Sequence, residues 1–191
     1  MKSILLVMDM INDLVHPEGP NAASYGVKMR ERGVYAATCL AIEKARTAGV
    51  PVGYVRIGFS PGYLECPPRS PVFRRARETE LFQLGTWGTA VYADFAPRPE
   101  DFDIVKHRVS PFYGTRLEPI LRAHDITQLV LCGVSTNGVV SAAIREGHDR
   151  DYQCVLLEDA SAGATDEEHD FALAGLRRFA TVTTASAYQF A

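Results

Sequence analysis

Six short apolar runs punctuate the chain: SILLVM (3–8), VPVGYVRI (50–57), FDIVK (102–106), QLVLCGV (128–134), QCVLLED (153–159) and ATVTTAS (180–186). Between them, apolar residues recur every three or four positions over 34–48, 115–124, 138–149 and 166–178, the spacing of helices with one buried face. Near-continuous apolar runs describe strands covered on both sides. Their alternation with amphipathic helices predicts an α/β fold, a parallel sheet wrapped by helices. Gly49-Val50-Pro51 supplies a stop for the first long helix.

One stretch escapes the pattern. From Gly58 to Pro99 the chain carries Pro61, Pro67, Pro68, Pro71, Pro97 and Pro99, which interrupt any regular period. A connection of this length in a compact domain is uncommon and often functional, so it is expected to cover a pocket or to meet another subunit.

Composition narrows the class. At 191 residues and 47% hydrophobic content, one globular domain spanning 1–191 can bury a sizeable core. The net charge of -3 comes from interspersed charges, which argues against a nucleic-acid groove or an anionic membrane surface and for a small-molecule or protein partner. SILLVM reaches Asp9 too soon for a signal sequence or a membrane span, so a cytoplasmic protein with reduced thiols is expected. Cys39, Cys66, Cys132 and Cys154 have neither metal-ligand spacing nor the density of a disulfide scaffold. No metal cluster emerges among the histidines either, and no cofactor is expected.

In an open parallel sheet, ligands bind beyond the carboxyl ends of the strands. Three of those ends carry chemistry: Asp9 after the first run, Lys106 closing the third, and Ser135-Thr136-Asn137 after the fourth. A buried Asp can exchange protons with a substrate, or it can simply hold the Asn12-Asp13 turn. Lys106 can pair with Asp9, although a lysine taken alone reads more readily as a surface residue. The Ser-Thr-Asn turn can present N–H groups to a polar ligand or merely cap the next helix. Trp87, Phe112 and Tyr113 are aromatic candidates for a pocket wall or for the core, and His16 can border the pocket. His107 reads as structural or interfacial, while His124, His148 and His169, near helix ends, are explained by helix dipoles or solvent.

The stretches LLVMDMINDLVHPEG (5–19), VKHRVSPFYGTRLEPILRAHDITQLVLCGVSTNGVV (105–140) and DYQCVLLEDASAGATDEEH (151–169) resemble, in order and spacing, the isochorismatase-like or cysteine hydrolase family. The resemblance implies a three-layer α/β/α sandwich around a six-stranded, mainly parallel sheet. It also implies an Asp and a Lys at strand ends, here Asp9 and Lys106, and a cis peptide mapping to Val134-Ser135. Homo-oligomers are expected. The family pattern GVSTNxCV becomes Gly133-Val134-Ser135-Thr136-Asn137-Gly138-Val139-Val140, so Val139 stands where the nucleophilic cysteine is expected. Valine has no lone pair, which closes the thioester route. A His-rich metal segment of the nicotinamidase kind is missing from RIGFSPGYLECPP.

Isochorismatases cleave a vinyl ether without that cysteine, by protonation and water attack. The resemblance therefore implies a hydrolase acting on a small anionic or cyclic molecule, with Asp9 and Lys106 catalytic. Arg108, Phe112, Ser135, Thr136, Asn137, Gly138 and Val139 are the expected substrate-binding residues. Two alternatives stand beside this: a non-catalytic member that binds ligand or serves assembly, and an amidase using activated water or a surrogate nucleophile.

Overall fold

The computed structural model describes residues 1–191. Six strands, β1 (Ser3–Met8), β2 (Val52–Ile57), β3 (Phe102–Lys106), β4 (Gln128–Val134), β5 (Gln153–Ala162) and β6 (Thr181–Thr183), form one sheet in the order β3-β2-β1-β4-β5-β6. Every neighbouring pair is parallel. The helices are α1 (Asn12–Val15), α2 (Val27–Glu31), α3 (Val34–Thr47), α4 (Leu117–Ala123), α5 (Ser141–Asp149) and α6 (Asp166–Leu176).

Alternation along the strands sorts the core into two layers. Leu5, Val7, Val130 and Cys132 pack with Val34, Ala41 and Ile42 of α3. Ile4, Leu6 and Leu131 pack on the other side with Leu121 of α4, Ile144 of α5 and Leu173 of α6. The result is the expected three-layer α/β/α sandwich. All six residues of β1 are buried, because each face of the sheet is covered by a helical layer. Gly49, at φ +69°, ends α3 as the sequence predicts, with the Val50 N–H returning to the Ala45 carbonyl at 2.9 Å.

The boundaries depart from the periodicity in four places. The helix expected over 138–149 is preceded by a wide helical turn over Thr136–Val140, broken at Gly138, and regular α-helix begins only at Ser141. β5 continues to Ala162 through a register shift against β4. The last strand shrinks to Thr181–Thr183, a threonine-rich and only partly buried edge. α1 and α2, of 4 and 5 residues, are too short to generate a periodic signal.

After β1 the chain builds β2 and β3 to one side, then crosses to β4, β5 and β6 on the other. The crevice therefore lies at the carboxyl ends of β1 and β4. Segment 58–99 closes over this edge. Its Phe59, Tyr63, Phe73 and Ala76 form a small core with Ile11 and Ile57, and the Phe82 N–H donates to the Asp13 carboxylate at 2.7 Å. Of the two roles expected for this segment, covering a pocket is the one the fold displays. No helix is long and apolar enough to cross a membrane.

Gly133 permits the close approach of β4 to β1. Its φ is +143°, and a Cβ placed there would sit 2.1 Å from the Met8 carbonyl oxygen. Gly133→Ala is expected to lower stability by about 3 kcal/mol or more, since backbone strain and overpacking act together. A denaturant-unfolding midpoint within error of the parent would contradict this reading of the crevice.

Candidate active site

The chain leaves β1 at Asp9 in a left-handed conformation, φ +55°, which a short polar side chain tolerates better than most. This turn swings the carboxylate sideways across the top of β2. Its Oδ1 accepts the Ile57 N–H at 2.7 Å, and its Oδ2 lies 2.8 Å from the Lys106 Nζ. β1 and β3 are two strand spacings apart, roughly 9.5 Å. The lysine stem spans most of that gap from its register partner Ile57.

Asp9 is 5% exposed and Lys106 2%, so this lysine is no surface residue. Its ammonium also donates to the Arg108 carbonyl at 3.1 Å. Burial raises the pKa of Asp9, and the charge and hydrogen bond of Lys106 only partly offset that effect. Two donors on an acceptor-only carboxylate describe a resting ion pair whose proton affinity lies above that of a solvated Asp.

Beside the pair, the Val134–Ser135 peptide bond is cis, as the family resemblance implied. The turn that follows does not use its polar side chains as caps, for Ser135 makes no side-chain cap hydrogen bond. Ser135, Asn137, Gly138 and Val139 instead line a cavity of about 410 Å³ that also contains Asp9 and Lys106. The Gly138 N–H is committed to the Ser135 carbonyl at 3.0 Å, so this donor of the turn is not available to a ligand. Val139 is 3% exposed and belongs both to the core and to the cavity wall. No cysteine lines the cavity.

Three expected site residues lie elsewhere. The Arg108 guanidinium donates to the Glu65 and His107 carbonyls at 2.9 and 2.6 Å, fastening the covering segment rather than facing the cavity. Phe112 is a core residue stacked on Tyr152 with the Arg150 guanidinium over its ring. Thr136 is wholly buried and turned away from the cavity, its hydroxyl 2.8 Å from the His169 Nδ1. Trp87 and Tyr113 are exposed, and His16 packs edge-on against Trp87 and Tyr92; none of the three lines the cavity. His107 is structural, its Nδ1 within 2.6 Å of the Gly58 carbonyl.

Two residues escaped the sequence reading. Tyr25 lines the cavity beside Ser135, and burial raises its pKa, which keeps the phenol protonated as a donor. It sits in a short helical turn, Ala22–Gly26, that left no periodic trace. His169 is fully buried rather than solvated at a helix end. It follows a capped N-terminus resembling a capping box: the Thr165 hydroxyl accepts the Glu168 N–H at 3.2 Å, and the Glu168 carboxylate accepts the N–H of Ala164, one residue before the cap, at 3.2 Å. The TDEEH spacing held that signal and drives the imidazole under the Thr136 turn.

A parallel sheet opening a crevice at a switch point, with a buried Asp-Lys pair beside a polar turn, describes an α/β enzyme with a small-molecule site. The isochorismatase domain model matches residues 3–187, so the chain belongs to the isochorismatase-like hydrolase family. It is 33% identical over 191 residues to a ureidoacrylate amidohydrolase of Methylobacterium radiotolerans, covering 93% of this chain and 74% of that protein. The structure of an isochorismatase family protein from Desulfovibrio vulgaris matches with a TM-score of 0.86 at 22% identity, covering 97% and 95% of the two chains. N-carbamoylsarcosine amidase from Thermoplasma acidophilum matches with a TM-score of 0.77 at 27% identity over the full length of both chains.

Burial, with the charge of Arg32 nearby, lowers the pKa of His169 from 6.5 to about 4. Between these values the unfolded chain binds a proton that the folded protein refuses. Stability therefore falls as pH drops through this window, by about 3 kcal/mol in full. Denaturation at a series of pH values should show a shallower decline between pH 6.5 and 4 for His169→Gln than for the parent; parallel curves would place the loss on other groups.

Proposed function

We propose that this cavity hydrolyses a small molecule, cyclic or anionic on the sequence reading, through Asp9 and Lys106 and without a covalent cysteine intermediate. The supporting observation is the buried 2.8 Å ion pair opening onto a cavity whose wall carries Val139 in the thiol's expected place. Asp9 acts as proton carrier. Its raised pKa brings proton uptake and release closer to neutrality, where an acid-base group works best. Lys106 orients the carboxylate and supplies positive charge where negative charge develops on the substrate.

In a vinyl ether, the reacting form is Asp9 protonated from solvent, and its carboxyl proton goes to the enol carbon. The carboxylate then takes a proton from the water that attacks the resulting cation, and the hemiketal collapses to a ketone and an alcohol. An amidase is the second reading, favoured by the 33% identity to a ureidoacrylate amidohydrolase. There the carboxylate deprotonates water as it attacks the carbonyl, and the proton passes to the departing nitrogen. In both routes Asp9 gives one proton and takes one, ending as it began.

Once a turned-over substrate is identified, Asp9→Asn is expected to lower kcat by about 10²-fold or more, with the fold retained by circular dichroism. Unchanged turnover would make Asp9 a structural residue of the strand end.

The same reading predicts indifference to thiol reagents. Burial pushes the Cys132 thiol up to about 12 and Cys154 up to about 11, and it raises Cys39 and Cys66 as well. Activity should survive iodoacetamide at neutral pH. Stoichiometric inactivation on labelling of one cysteine, located by peptide mass spectrometry, would transfer the chemistry to that thiol.

A further inference from the structure

Resting on that assignment of the site, we infer that the substrate is an uncharged molecule with one polar, hydrolysable head and a compact apolar body. The lining combines a few polar groups, Asp9, Lys106, Ser135 and Asn137, with the apolar side chains of Leu14, Val72, Phe73, Phe82 and Val109. These apolar residues come from three separate pieces of chain.

Charge decides between a neutral and an anionic ligand. Lys106 is the one cation in the lining, and the Asp9 carboxylate already neutralises it at 2.8 Å. Arg108, the other cation at this strand end, lies outside the lining, its Nη1 donating to the Glu65 and His107 carbonyls. The arginines of the covering segment, Arg69, Arg74, Arg75, Arg77 and Arg98, are exposed and none reaches the lining. A carboxylate-bearing ligand would thus give up its hydration beside Asp9 and an apolar wall with no unpaired cation to receive it, a costly transfer. A neutral carbonyl or ether loses far less and finds Tyr25, Ser135 and Asn137 as hydrogen-bonding partners. Gly138 lets the polar turn lie close, since a Cβ there would meet the Ser135 hydroxyl at 2.6 Å.

The experiment measures binding, independently of turnover. Cyclohexyl methyl ketone keeps a carbonyl on a compact ring and cannot be hydrolysed; cyclohexanecarboxylate has the same body with a charged head. Titration calorimetry on the unmodified protein should give a Kd for the ketone at least about ten-fold below that for the carboxylate. Equal affinities, a preference for the carboxylate, or no saturable ketone binding would overturn the assignment. Two variants fix the location. Val72→Trp, at a position 66% exposed where folding is not at stake, should weaken ketone binding about ten-fold by filling the mouth. Val109→Lys adds an unpaired cation to the wall and should improve carboxylate binding about ten-fold. Ketone affinity unmoved by Val72→Trp would place the ligand elsewhere and overturn the proposal. Loss of turnover in Asp9→Asn concerns the chemistry alone, so the two readings fail separately.

Discussion

The ion pair between Asp9 and Lys106 is the constraint around which the rest of the site is arranged. Taking both charges out of water is expensive, and deleting one partner leaves the other uncompensated, at about 3–5 kcal/mol. Such a pair persists only where geometry and extra hydrogen bonds are enforced from several sides. Here three strands enforce it: β1 supplies the carboxylate, β2 a backbone donor at Ile57, and β3 the ammonium. The Arg108 carbonyl takes a further proton of the lysine. Segment 58–99 then seals the pair, and its own small core of Phe59, Tyr63 and Phe73 anchors it at Ile11 and Ile57, beside the same strand ends.

The turn after β4 is held from behind rather than by side-chain caps on its own backbone. Gly133 lets β4 press on the Met8 carbonyl, and Thr136 anchors to His169 on α6. Burial keeps that imidazole neutral, with its pKa down at about 4. Ser135 and Asn137 are left facing the cavity. One residue of the Ser-Thr-Asn triplet therefore packs into the structure and two line the cavity, an allocation that helix-capping preference does not anticipate.

Where the sequence was legible, it was so for a physical reason. Strands buried on both faces leave continuous apolar runs, and Asp9 and Lys106 at their ends are conspicuous because burying a lone charge is costly. Short turns leave no period, which is why α1, α2 and Tyr25 went unread. Arg108 and Phe112 were placed at the site by the family resemblance of the KHR and SPF stretches at and after the end of the third strand. Yet Arg108 turns its guanidinium onto the covering segment, and by Phe112 the chain has left the strand for the core beneath α4 and α5. His169 was misjudged because nearness to a helix end suggests solvent, while the capped N-terminus shows that this end is packed against the turn. The apolar wall was illegible because Leu14, Phe73, Phe82 and Val109 meet only after the long connection folds back.

That wall links recognition to chemistry. The apolar side chains that leave no place for a second charge also exclude water from Asp9, and desolvation is the largest influence raising its pKa. Proton affinity and substrate polarity are thus set by one surface. Replacing a wall residue with a polar one hydrates the carboxylate, so a gain in polar-ligand binding comes with a weaker proton carrier. Under the proposed mechanism, with Val139 in the wall rather than a thiol, no covalent intermediate holds the substrate between steps. Such a site depends on this coupling, because the group that must hold a proton is tuned by the same contacts that position the molecule receiving it.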